Sequence, residues 1–143
     1  MRIIMCYTSN IMRTFYLSVL TCLIIVFPLS VFAQTPKSHM FYEKDYQNMW
    51  CAERLGVMEY VLPDRARVDC VTQTHAIEFD FAKKWAESIG QSLYYAAILQ
   101  KDPGIVLIVE DKDKDQKYID RLQAVATKQG IKVWLMHPED MKQ

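Results

Sequence analysis

The stretch from Arg67 to Tyr95, RVDCVTQTHAIEFDFAKKWAESIGQSLYY, leaves the chain few ways to fold. Polar and apolar residues alternate over Ala66 to Thr72 and again over His75 to Phe81, with Gln73-Thr74 between them. A period of two is the pattern of a strand, because successive side chains leave a strand on opposite faces. A further short strand, Val57 to Leu62, lies just upstream, separated by a turn that starts at Pro63-Asp64. Connections this short require an antiparallel meander, since a parallel crossover needs a dozen residues or more. From Ala82 to Gln100 the period becomes helical, with Trp85, Ile89, Leu93 and Ala96 or Ala97 on one face.

Acids punctuate these strands. Ala76, Glu78 and Asp80 share one face of their strand, and Ile77, Phe79 and Phe81 share the other. The apolar face is therefore expected to be core. Asp69 lies on the neighbouring strand, on the side of Arg67 and Val71. A register that sets Asp69 beside Glu78 lets their oxygens share one hard cation. Magnesium takes oxygen ligands and keeps several waters, so two carboxylates and a backbone carbonyl suffice. Such an ion polarises a phosphate and makes hydroxide from its bound water. Read without these partners, an Asp and a Glu on adjacent strands are an ordinary solvated sheet face.

The rest of the chain supplies the frame. Met40 to Leu55 reads as a helix with Phe41, Tyr46, Met49, Trp50 and Leu55 as its stripe, stopped by Gly56. Asp102-Pro103-Gly104 is expected to end the central helix, and Ile105 to Val109 is an unbroken apolar strand of the kind buried on both faces. Asp111 to Asp115 reads as a solvated loop. It lacks the glycine and closing glutamate of a calcium loop. Gln116 to Gln129 follows as an amphipathic helix with Tyr118, Leu122 and Val125 inward. Gly130 stops it before a last strand, Ile131 to Met136. Two strands joined through a helix are expected to be parallel.

The order is helix, three strands, helix, strand, then a C-terminal helix-strand unit. In topology over Met40 to Val109, and in motif over Arg67 to Tyr95, the chain resembles the PD-(D/E)XK nuclease superfamily, the restriction-endonuclease-like fold. The resemblance implies an α/β fold, an αβββαβ core with a mixed central sheet flanked by helices, occupying residues 40–143. It implies a nuclease that hydrolyses DNA with Mg2+ or Mn2+, with Asp69, Glu78 and Asp80 as metal ligands. The family's third motif places a lysine two residues after its acid, where this chain has Asp80. Some members supply that lysine from the following helix. Lys84 is the better candidate here, since on a helix it projects within about 20° of Gln91, while Lys83 differs from Gln91 by about 80°. Gln91 with Tyr94 or Tyr95 resembles the Gln-x-x-Tyr element of exonuclease-like branches. Glu53 on the first helix matches an extra acid of many members. Glu59, Lys83 and Tyr95 complete the auxiliary set. A homodimer is compatible with this reading.

Leu17 to Phe32 is almost continuously apolar, follows Arg13 and ends in Val31-Phe32-Ala33. That is the form of a secretory signal peptide cut after Ala33. Residues 1–33 are expected to leave, with residues 34–39 as a linker and no membrane segment remaining. The alternative is an uncleaved anchor, against which the run is short and interrupted by Pro28. Export places the protein in the periplasm or outside the cell. Arg2 and Arg13 leave with the leader, so the 17 acidic residues outnumber the remaining basic ones by two. That charge speaks against a tight non-specific DNA binder and leaves room for a locally basic groove.

Cys51 and Cys70 are the two cysteines of the exported part. An even pair in an oxidising compartment favours a disulfide. Buried free thiols are the alternative. His39, His75 and His137 lack zinc-ligand spacing around them. A second functional reading, from another class, is a catalytically inactive nuclease-like α/β binding module in the periplasm. Near-neutral charge favours it. The acid cluster opposes it, because buried like charges are costly without a cation.

Overall fold

The computed structural model describes residues 39–142. The expected signal peptide, its cleavage site and linker residues 34–38 lie outside the described residues. The elements are α1 (Glu43–Glu53), β1 (Val57–Val61), β2 (Arg67–Val71), β3 (His75–Phe81), a 3-10 turn (Ala82–Lys84), α2 (Trp85–Leu99), β4 (Asp102–Ile108), α3 (Lys112–Gln129), β5 (Lys132–Met136) and a short 3-10 turn (Asp140–Lys142). The fold is α/β, with one mixed five-stranded sheet in the order β1-β2-β3-β4-β5. The first three strands form the antiparallel meander, and β3, β4 and β5 run parallel. Among the described residues, no helix is long and apolar enough to cross a membrane.

Both faces of the sheet are covered. On one, Tyr46, Trp50 and Cys51 of α1 pack against Ile77, Phe79, Val106 and Ile108. On the other, Trp85, Ile89 and Leu93 of α2 and Leu122 and Ala126 of α3 pack against Ile105 and Leu107. The parallel register sets Glu78 level with Ile105 and Asp80 level with Leu107. The acids of β3 therefore point to the α2 side, into an apolar layer. The Ile77-Phe79 face is core, as expected, but the acidic face is not a solvated one: Glu78 is 6% exposed and Asp80 2%.

Several boundaries move for physical reasons. Asp102-Pro103-Gly104 belongs to β4, in register with His75, Ala76 and Ile77. The helix is ended instead by Gln100 in the left-handed conformation, with the Lys101 amide donating to the Ala96 carbonyl. Gly104 is needed for closeness, since a Cβ there would lie 2.9 Å from the Trp134 ring. The Asp-Lys run is not a loop but the first turn of α3. The Asp111 side chain accepts from the Lys114 amide as a cap, and Asp113 and Asp115 suit the helix N-terminus. His39 is not a loose linker residue: it hydrogen-bonds Glu110 and stacks on Phe81.

The end of α1 holds the meander in place. Leu55, not Gly56, takes the left-handed turn, at φ 52°, and it is exposed rather than part of the apolar stripe. The Gly56 amide donates to the Cys51 carbonyl and the Leu55 amide to Ala52, a Schellman stop. Gly56 is glycine because a disulfide joins Cys51 to Cys70 directly beneath it. A Cβ at Gly56 would sit 2.5 Å and 2.6 Å from the two sulfurs. Closing a loop of this length is worth roughly 3 kcal/mol in the chain-entropy model. Protein purified from an oxidising compartment without reductant is expected to show neither cysteine alkylated on peptide mapping. Quantitative labelling of both would contradict the disulfide. Gly56→Ala is expected to lower the melting temperature and raise labelling of both cysteines.

Candidate acidic site at the β2–β3 junction

The site begins where two strands part. β2 is in register with β3 at Val71↔Ala76 and Cys70↔Ile77, and continuing that register sets Asp69 level with Glu78. Here the backbone ladder gives way to a side chain. The Phe79 amide donates to Asp69 Oδ2 at 2.7 Å. A carboxylate thus stands where a strand carbonyl would, and the Asp69 carboxyl is held against β3. On the outer side, Glu59 of β1 leaves the strand conformation at φ 52° and takes an ion pair from Arg67 at 3.1 Å. Non-glycine residues in that region are strained and gather at functional sites.

The electrostatics follow from burial and crowding. Burial is the first cause that raises the Glu78 carboxyl far above the carboxylate range, followed by the charges of Asp69, Asp80 and Glu43. Burial also raises Asp69, while the Phe79 amide pulls it back. The strand register sets Asp69 beside Glu78, and the charge of Asp69 is the second cause of the rise at Glu78. Two close carboxyls of this kind oppose each other's ionisation. Glu78 Oε2 is buried and has no hydrogen-bond partner within the protein. Asp80 is pushed up to about 6, by burial against the opposing pull of Lys84. Lys84 Nζ stands 3.4 Å from Asp80 Oδ1, which also accepts from the Phe81 amide.

Of the residues singled out from the sequence, Asp69, Glu78, Asp80 and Lys84 come together. Lys84 reaches Asp80 from the 3-10 turn that precedes α2, so its direction is not that of a residue within the helix. Lys83 is exposed on the same turn. Tyr95 is buried, and the Gln91 side chain donates to its hydroxyl at 3.4 Å. Burial, then the charge of Glu78, raises the Tyr95 hydroxyl. Glu59 is near enough to raise Asp69. Tyr94 turns the other way, to Asp64. Glu53 stays at the far end of α1, exposed and paired with Arg54.

The acid that α1 does contribute is Glu43, which sequence reasoning missed. Burial raises its carboxyl first and the charge of Asp69 second, while Lys84 lowers it. A signal was present. Glu43 lies one turn before Gln47 and two before Trp50, on the buried stripe of α1, and the Gln47 amide donates to it at 3.3 Å. An acid in line with a buried stripe needs a reason to be there.

Among the described residues, no group of three or more His, Cys, Asp or Glu side chains stands in ready-made ligand geometry. The donor set nevertheless fits a hard cation. Asp69 and Glu78 are oxygen donors that face each other, and one oxygen of Glu78 has no partner. No protein-family model matches the chain, nor does any curated protein or solved structure.

Without metal, the sign of the pH dependence is fixed by the upward shifts. A carboxyl whose folded pKa exceeds its unfolded value stabilises the fold below the unfolded value, and that contribution is lost as pH rises through the folded one. The metal-free melting temperature is therefore expected to fall from about pH 4.5 upward through neutrality. Glu78→Gln is expected to raise it at pH 7 and to flatten the slope. An unchanged or lower melting temperature in Glu78→Gln would show that these acids do not oppose one another.

Proposed function

We propose that this protein is a divalent-metal-dependent nuclease that hydrolyses phosphodiester bonds in DNA, built on a restriction-endonuclease-like αβββαβ core. The observation that carries the reading is the Asp69–Glu78 pair, a half-buried and a buried carboxyl set level with one another at the point where β2 and β3 part, with Glu78 Oε2 left without a partner. The order α1, three antiparallel strands, α2 and a parallel β4 supports the fold assignment. Magnesium or manganese, held by Asp69 and Glu78, would supply Lewis-acid charge at the phosphate and a water of lowered pKa.

The chain's own residues take the remaining parts. Asp69 keeps its orientation through the Phe79 amide. Glu78, raised by burial and by Asp69, would have to be deprotonated to serve as a ligand. Asp80 stands on the same face as Glu78, as a further ligand or a group that orients water. It also holds Lys84 at the edge of the site. Lys84 is 56% exposed at its side chain, so a phosphate can approach its ammonium from solvent. A positive group at that edge counters charge that builds on the phosphate as the bond breaks. Glu43 adds negative charge from α1. Export remains part of the proposal, since a nuclease of this kind would act on DNA outside the cytoplasm.

Wild type is expected to nick plasmid and degrade linear DNA in Mg2+ or Mn2+ and not in chelator. Asp69→Ala and Glu78→Ala should each abolish cleavage. Lys84→Ala should cost about 10²-fold, the usual effect of losing one transition-state donor, and Lys83→Ala much less. Glu43→Ala should weaken Mn2+ binding, whereas Glu53→Ala should leave it unchanged. Cleavage that persists in both Asp69→Ala and Glu78→Ala would refute the site. Absence of cleavage and of metal binding in wild type would favour the non-catalytic binding module.

A further inference from the structure

The β1–β2 hairpin carries Asp69 and Glu59, and it is lightly attached to the rest of the sheet. β3 runs beside β4 from His75↔Asp102 to Phe81↔Ile108, but beside β2 at Cys70↔Ile77 and Val71↔Ala76. β1 is the sheet edge, with Val57, Met58, Tyr60 and Val61 all exposed. Past Cys70, the hairpin is held to β3 by the Asp69 bond to the Phe79 amide and by packing of Leu62 and Val68 near Tyr95. Against that hold works the charge of Asp80 on β3, which raises the Asp69 carboxyl. The disulfide sits at the point of separation. Cys70 immediately follows Asp69, and Cys51 lies on α1, the helix that begins with Glu43. Both sulfurs are buried, and Gly56 closes over them without space for a side chain.

We infer that the Cys51–Cys70 disulfide is a positioning device for the acidic site: it holds the Asp69 hairpin against β3, so that the reduced chain folds with a slack site and oxidation seats it. The inference rests on the proposed cation site and adds its regulation. Oxidation removes two protons and two electrons from the two thiols and forms the sulfur–sulfur bond. A disulfide-bearing oxidant accepts the electrons and becomes a dithiol. A chain kept reduced before export would thus bind its cation weakly, and the oxidised chain would bind it well.

The test uses full-length protein in two forms, oxidised wild type and Cys51→Ser/Cys70→Ser, with two readouts. The first is hydrogen exchange of the Phe79 amide in metal-free buffer, which reports the Asp69 contact whether or not any cation binds. The second is calorimetric binding of Mn2+. In the double variant the Phe79 amide is expected to exchange at least tenfold faster while the β4 amides of Val106 and Leu107 keep their protection, and Mn2+ affinity to fall at least tenfold. Unchanged Phe79 exchange in a folded double variant would overturn the inference. Should the double variant fail to fold, wild type reduced under native conditions takes its place. If there, too, all amides lose protection together, the bridge is a global staple and the inference fails. Faster Phe79 exchange with no Mn2+ binding by either form would uphold the positioning role and refute the cation site.

Discussion

A single carboxylate replaces a rung of the sheet, and the site depends on that substitution. Asp69 accepts the Phe79 amide at 2.7 Å, so β2 satisfies β3 with a side chain and not with its backbone. Two consequences follow. The amide of a buried strand residue is not left unpaired, which would be costly. The second is that Asp69 is fixed level with Glu78, whose side chain points into the layer formed by Ile105, Leu107 and α2. Burial then does the rest. Two carboxyls set side by side there oppose each other's ionisation, and burial pushes both upward, Glu78 the further.

The surrounding structure is arranged to tolerate that pair. β3 is gripped by β4 along its whole length and packed on its other face by Trp50 and Tyr46, so Glu78 and Asp80 have little freedom to escape to solvent. Lys84 offsets part of the charge at Asp80, and Tyr95 closes the α2 side with its hydroxyl bonded to Gln91. On the opposite side, α1 brings Glu43 near Asp69, and the disulfide ties that helix to the residue after Asp69. Elements that share the core thus also share the site.

Much of this was legible in the chain. The period of two over His75–Phe81 placed Glu78 and Asp80 on one face, and the short connections required the antiparallel meander. The disulfide followed from an even cysteine pair in a chain expected to be exported. What the pattern did not carry was depth. Alternation separates two faces but does not say that α2 buries the acidic one, so the pKa shifts were invisible. Pro103-Gly104 reads as a turn by local preference, yet parallel pairing to β3 overrides it. Asp111 and its neighbours read as a loop because their charges conceal a cap and a helix N-terminus. Glu53 matches the resemblance by position, whereas the inward stripe of α1 runs through Glu43, Gln47 and Trp50.

The central claim is that a cation and a proton compete for the same carboxyl oxygens of Asp69 and Glu78. Calorimetric titration of Mn2+ at pH 7, repeated in buffers of different ionisation enthalpy, measures the protons exchanged on binding. The account predicts release of about one proton per cation, since ligand carboxyls must deprotonate to bind, and loss of both binding and release in Glu78→Gln. Binding with no proton release, or equal binding by Glu78→Gln, would contradict it.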